Sequence, residues 1–156
     1  MPAITHGLFE LTAADLMSRD LTTIPEKMPL RGAARLLRRA GVSGAPVVDA
    51  RGRCVGVLSA TDFLRRAEDE DHPHHSGLHS EWEVIEVAEV GADDVRTYMT
   101  RDLVKAAPDA GVGELARMML DAHVHRVVVV DPEDRPVGIV TSTDILAAVA
   151  RMVPLL

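Results

Sequence analysis

One cysteine, Cys54, stands in 156 residues, so no disulfide can form within the chain and a stapled core is excluded. Aromatic residues are almost as scarce. Phe9, Phe63, Trp82 and Tyr98 are the full set, which leaves burial of apolar surface to Val, Leu, Ile, Ala and Met within a hydrophobic content of 47%. No apolar run approaches the roughly 20 residues of a membrane span, and Met1 to Glu10 lacks both a basic start and a long apolar stretch. The expectation is a soluble cytoplasmic protein that keeps clear of membranes. Lys and Arg are missing from Ala67 to Asp94, a segment holding ten of the 24 acids, so the remainder carries all 17 bases against 14 acids. The net charge of −7 therefore belongs to one segment. This balance argues against nucleic acid as a partner and leaves room for a locally basic cleft. No Ser/His/Asp or metal-ligand set occurs at workable spacing, and Cys54 lies in a stretch read as strand, so catalysis is not expected.

What the chain does contain is a duplication. Gly56-Val57-Leu58-Ser59-Ala60-Thr61-Asp62 returns as Gly138-Ile139-Val140-Thr141-Ser142-Thr143-Asp144. Met17-Ser18-Arg19-Asp20-Leu21 returns as Met99-Thr100-Arg101-Asp102-Leu103, and Val47-Val48-Asp49 as Val129-Val130-Asp131, all at an offset of 82 residues. Constant spacing marks a structural repeat.

Each copy reads as strand, helix, strand, strand, helix. In the first, Leu21 to Pro25 is extended. Leu30 to Ala40 is a helix with Leu30, Ala33, Ala34, Leu36 and Leu37 on one face, Arg31, Arg35, Arg38 and Arg39 on the other, and Gly41 as its C-cap. Ala45 to Val48 and Cys54 to Leu58 form a hairpin around Asp49-Ala50-Arg51-Gly52, and a helix begins near Ala60. The second copy predicts extended Leu103 to Ala106, a helix from Val112 to Asp121, strands at Val127 to Val130 and Pro136 to Val140, and a last helix from Thr143 to Met152. In the Val112 helix the apolar side chains span about 200° at roughly 100° per residue, more than one sheet covers. The surplus points to a sister helix or another copy of the chain.

The repeated heptad admits two readings. A strand running directly into a helix offers N–H groups and the positive dipole end to an anion. Ser59 or Thr141 can add a hydroxyl, and Asp62 or Asp144 can accept two hydrogen bonds from vicinal hydroxyls such as a ribose carries. Alternatively, Ser59-x-x-Asp62 and Thr141-x-x-Asp144 are capping boxes that satisfy only their own helices.

These heptads, the Met17-Ser18 and Met99-Thr100 pairs some forty residues ahead of them, and the valine-rich strands ending in Asp49 and Asp131 resemble the tandem cystathionine β-synthase (CBS) domain pair, or Bateman module. The resemblance implies an α+β fold of two β-α-β-β-α repeats, residues 10–68 and 95–153, about a pseudo-two-fold axis. An acidic, histidine-containing insert, 69–94, joins them. It further implies clefts for an adenine nucleotide (AMP, ADP or ATP), with or without Mg²⁺, or for S-adenosylmethionine, and no required cofactor. Asp62 and Asp144 then resemble ribose acceptors, with Ser59, Thr141, Thr61 and Thr143 beside them. Thr23, Ile24, Pro25, Val42, Gly44, Ala45, Pro46, Lys105, Ala106 and Val127 resemble adenine-pocket walls. His125-Arg126 resembles the pair that contacts nucleotide phosphates in the gamma subunit of AMP-activated protein kinase. Ser43-Gly44 offers no cation at the matching place, so unequal sites are expected.

The functional expectation is a non-catalytic regulatory module that forms a homodimer through its helices and acts on a separate protein target. The rival is a dimerisation scaffold with empty clefts. His72, His74, His75 and His79 read as a solvated loop sooner than a metal site, and Trp82, Val84, Ile85, Val87 and Val90 as a stretch that packs onto the body.

Overall fold

The computed structural model describes residues 7–63 and 94–152. The histidine group from His72 to His79 and the apolar stretch from Trp82 to Val90 lie outside the described residues. In chain order the elements are α1 (Ala13–Leu16), β1 (Ile24–Pro25), α2 (Leu30–Ala40), β2 (Gly44–Val48), β3 (Cys54–Ser59), α3 (Val95–Tyr98), β4 (Lys105–Ala106), α4 (Val112–Ala122), β5 (Arg126–Val130), β6 (Pro136–Thr141) and α5 (Ser142–Met152). A further helix is entered at 60–63. The chain divides into two units, one of residues 22–102 and one that joins 1–21 to 103–156.

The first unit is built on a three-stranded sheet, β1-β2-β3. β1 runs parallel to β2 with Ile24 opposite Val47, and β3 returns antiparallel with Ala45 opposite Leu58. Helix α2 lays Leu30, Ala33, Ala34 and Leu37 on this sheet, where all four are buried with Ile24, Val47 and Leu58. A fully buried Leu or Val stabilises by about 1.5–3 kcal/mol, so this cluster dominates the unit. Cys54 is buried in β3, a small hydrophobe in a strand as its sequence context implies. Gly41 ends α2 at φ 67°, and the Val42 N–H closes back on the Leu37 carbonyl at 3.2 Å.

The second unit repeats this plan in the same register. β4 pairs parallel with β5, Ala106 opposite Val129, and β5 pairs antiparallel with β6, Val127 opposite Val140. Both hairpins shift register at equivalent valines, between Val47 and Val48 and between Val129 and Val130. Ala106, Leu115, Val127, Val129 and Val140 form the core together with Ala13 of α1. The α4 cap departs from its sister, because His123 takes the left-handed turn at φ 54° that Gly41 takes in the first copy.

The two hairpin turns share an acid-centred design. Oδ1 of Asp49 accepts from the Arg51 and Arg53 amides at 2.9 and 3.0 Å, and Oδ1 of Asp131 accepts from the Glu133 and Arg135 amides at 3.0 and 2.9 Å. Burial pushes the Asp49 carboxyl up, but the Arg53 and Arg51 amides and the Arg53 guanidinium outweigh it and hold the group below its ordinary value.

Each sheet is completed by residues from before the other copy's first strand. Val57 and Thr100 exchange backbone hydrogen bonds of 3.0 and 2.9 Å in the first unit, as Ser18 and Ile139 do, at 2.9 and 3.1 Å, in the second. The preceding methionine lies over a glycine in each case. A Cβ at Gly56 would stand 2.7 Å from Met99 Sδ and 2.9 Å from the Thr100 carbonyl, and a Cβ at Gly138 would collide with Met17. Both glycines fall within the stretches that the sequence reads as strands, Cys54 to Leu58 and Pro136 to Val140. They lie inside β3 and β6, where the absent side chain admits a methionine.

Gly138→Ala is expected to destabilise by about 1–3 kcal/mol through overpacking in urea unfolding, with Met17→Ala in the same chain recovering part of the loss. Asp49 yields a second expectation. A depressed native pKa gives stability that is present above the ordinary value of 3.8 and lost as pH falls through the lower folded value. Thermal melts should therefore place Asp49→Asn below the wild type at neutral pH, with the gap closing in strong acid.

Candidate functional site

Both copies of the heptad leave a strand and enter a helix, yet their carboxylates are used differently. Asp62 is buried, 4% exposed. Its Oδ2 accepts from the Ser59 N–H at 2.8 Å and the Ser59 hydroxyl at 3.2 Å, while Oδ1 accepts from the Thr100 hydroxyl at 3.0 Å. Asp144 is half-buried. Its Oδ2 accepts from the Thr141 N–H at 2.8 Å, and its own N–H donates to Thr141 Oγ1 at 3.1 Å, which completes a capping box. Oδ1 of Asp144 has no hydrogen-bond partner among the described residues. Ser18 stands where repetition would place a second Thr100, but it is exposed and no bond joins its hydroxyl to Asp144.

The row of free amides anticipated at these helix starts is shortened. Ala60 N–H donates to the Ser43 carbonyl and Ser142 N–H to the His125 carbonyl, each at 2.8 Å. What remains around Asp144 is a polar corner. Strand register sets Arg126 opposite Thr141, and the Ser142 bond draws His125 beside the start of α5. His125 and Thr143 are exposed and Arg126 and Thr141 half-buried, so cation, hydroxyl and carboxylate lie within one unit. The first unit places Gly44 opposite Ser59, with Ser43 before it and Thr61 exposed beyond. It has no cation at the equivalent place.

The other expected pocket residues separate by burial. Ile24 and Ala45 belong to the core of the first unit, and Ala106 and Val127 to that of the second. Gly44 and Pro46 are buried also, Val42 packs against the first core, and Thr23 and Pro25 are exposed. Lys105 Nζ is committed to both carboxylate oxygens of Asp134 at 2.9 Å, so its charge is already matched. Thr100 is the residue sequence reasoning missed. Its signal was the recurrence of Met-Ser/Thr at the common offset.

A second feature lies between α4 and α5. Leu120 is 74% exposed, Leu146 67% and Val149 38%. Leu120 and Leu146 border a groove of about 510 Å³ with Met119, Ile145, His123 and His125. Among the described residues no helix is long and apolar enough to cross a membrane, and no group of three His, Cys, Asp or Glu is placed to hold a metal ion.

Comparison with known proteins places this geometry. A family model described as CBS domain matches residues 13–69 and again 94–151. An uncharacterized protein of Methanocaldococcus jannaschii is 30% identical over 149 residues, covering 86% of this chain and 88% of that one. The 5′-AMP-activated protein kinase subunit gamma-3 of Homo sapiens is 28% identical over 130 residues, which are 83% of this chain but 24% of that subunit. Among solved structures, a CBS domain-containing protein from Bacillus anthracis matches in fold with a TM-score of 0.74 at 19% identity, over 94% of this chain and 97% of that one. A CBS domain pair solved in complex with 5′-methylthioadenosine and S-adenosyl-L-methionine has a TM-score of 0.69 at 25% identity, over 90% of this chain and 97% of its own.

Thr100→Val removes a donor from a buried carboxylate and should cost about 1–3 kcal/mol in urea unfolding, whereas Ser18→Ala should stay within about 0.5 kcal/mol of the wild type.

Proposed function

Because the chain belongs to the CBS domain family, with two copies in tandem, we propose that it is a non-catalytic regulatory module binding an adenosine-bearing ligand, with Asp144 as its ribose acceptor. The observation that carries this reading is the spare Oδ1 of Asp144. A carboxylate with one oxygen on its helix cap and one unpaired can take a hydroxyl pair without losing the cap. Asp62, with hydrogen bonds on both oxygens, has to give up a partner first. Arg126 supplies positive charge, and His125 a ring nitrogen able to donate a hydrogen bond, for a phosphate or another anionic group beside the same helix start. A ligand of adenosine type is supported by the complex formed by one relative and by the name of another. AMP, ADP, ATP and S-adenosylmethionine share the ribose that this reading requires. Regulation follows from differential affinity, since a ligand that binds one conformation better shifts the population toward it.

The apolar groove favours a second element of the reading, that two copies associate through α4 and α5. Leu120, Leu146 and Val149 form an exposed apolar surface that a second copy would withdraw from water. Work in the cytoplasm and action on a separate protein target belong to the same proposal.

Isothermal titration with AMP, ADP, ATP and S-adenosylmethionine tests the ligand. Asp144→Asn, which keeps an oxygen for the cap, is expected to raise the Kd of the bound ligand about tenfold, a loss near 1.4 kcal/mol. An unchanged Kd removes Asp144 from the site, and no heat with any of the four favours the scaffold. Light scattering after gel filtration tests association, with Leu120→Glu and Leu146→Glu together expected to give a monomer.

A further inference from the structure

Helix α2 carries Arg31, Arg35, Arg38 and Arg39 and no acid. Residues three and four apart share a helical face, so the four guanidinium groups form a stripe about 12 Å long at 1.5 Å per residue. All four positions are exposed, and Arg35, Arg38 and Arg39 make no ion pair with any described acid. Arg35 and Arg39 flank a groove of about 500 Å³ shared with Thr22, Gly32, Leu36 and Ala40. Like charges at this spacing repel, although Arg38 and Arg39 in the last turn also gain from the helix dipole. Anions laid against the stripe would relieve the repulsion.

The duplication provides an internal control. Helix α4 has Glu114, Arg117 and Asp121 exposed on its outer side, with Leu120 in the place of Arg38. Signs alternate there and the fold is the same. The basic stripe is therefore a property of one copy and not a requirement of the architecture.

Complementary charge is tethered to the same unit. Phe63 and Asp94 both belong to it, and the sequence between Ala67 and Asp94 holds ten acids and no Lys or Arg. The chain returns beside α2, where Asp94 bridges Pro29 and the Val95 N–H donates to the Met28 carbonyl at 3.0 Å. α2 is about 16 Å long, and extended backbone covers about 3.3 Å per residue. About five residues before Asp94 are thus enough to run its length. Tethering gives such a segment an effective concentration on the order of millimolar, which few free anions match.

We infer that the arginine stripe of α2 is the docking surface for the acidic stretch between Ala67 and Asp94 of the same chain. Guanidinium groups take carboxylates bidentately, and Gly32 leaves a dip in the surface beside them. The contact is electrostatic, so it weakens with salt. It needs no nucleotide.

A fluorescein-labelled peptide of residues 67–94 tests this by fluorescence anisotropy against three full-length chains. The first is the wild type. The second is a vacated chain with Glu68→Gln, Asp69→Asn, Glu70→Gln, Asp71→Asn, Glu81→Gln, Glu83→Gln, Glu86→Gln and Glu89→Gln. The third adds Arg35→Gln, Arg38→Gln and Arg39→Gln to the vacated chain. At about 0.01 M ionic strength the peptide is expected to bind the vacated chain about tenfold more tightly than the wild type, and to lose about tenfold or more when the arginines go. At about 1 M salt, where the Debye length is about 3 Å, binding should vanish. Equal affinity for the wild type and the vacated chain overturns the proposal, as does equal affinity with and without the arginines. If circular dichroism finds the third chain unfolded, Arg38→Gln alone takes its place, with a smaller loss expected and no loss overturning. A labelled single-stranded DNA run in parallel gives the other arm. DNA held by these arginines as tightly in the wild type as in the vacated chain makes the face a nucleic-acid surface and removes the acidic stretch from it.

Discussion

A methionine laid across a glycine is the contact on which the rest of this architecture depends. Met99 over Gly56 and Met17 over Gly138 bring a distant stretch of chain onto the middle of a strand. The next residue in each case adds a two-bond bridge to that strand. Neither three-stranded sheet is large, so the added stretch covers strand surface that would otherwise face water. In the first unit it also delivers Thr100 to the buried Asp62 carboxylate, so packing in the core and polarity at the helix start are joined through two adjacent residues.

That linkage explains why two near-identical heptads differ in chemistry. The sequence motif is shared, and so are the amide bonds to Oδ2. The difference comes from position 100 against position 18, a threonine that reaches the carboxylate against an exposed serine that does not. A carboxylate that must cap its helix has one oxygen to spare, and a neighbour claims it in one copy only. Asymmetry between the sites thus arises from the supporting residues more than from the motif itself, and the cation at Arg126 deepens it.

The repeat, the element order and most boundaries were legible because periodicity and turn chemistry are local signals. The apolar stripe of Leu30, Ala33, Ala34 and Leu37 and the glycine at position 41 announced α2 and its end, and the valine runs announced β2 and β5. The candidate site was legible less fully. A capping box and a ribose acceptor share the same Ser/Thr-x-x-Asp pattern, and only coordinates show how many oxygens each aspartate has left. Residues such as Ala45, Ala106 and Val127 could be matched to pocket positions by resemblance, but their burial follows from tertiary packing that no spacing reveals. Gly56 and Gly138 stood out as members of the repeated heptad, while their partners lay some forty and 120 residues away in the chain.

The exchange of leading segments bears on how such a chain can arise. Met17 and Ser18 precede the first copy yet finish the sheet of the second, and Met99 and Thr100 precede the second yet finish the first. A chain holding a single copy would have no donor for its own strand and could complete itself only by borrowing from a twin molecule. Joining two copies in one polypeptide turns that mutual loan into a permanent, concentration-independent arrangement, and frees each copy to diverge without losing its complement.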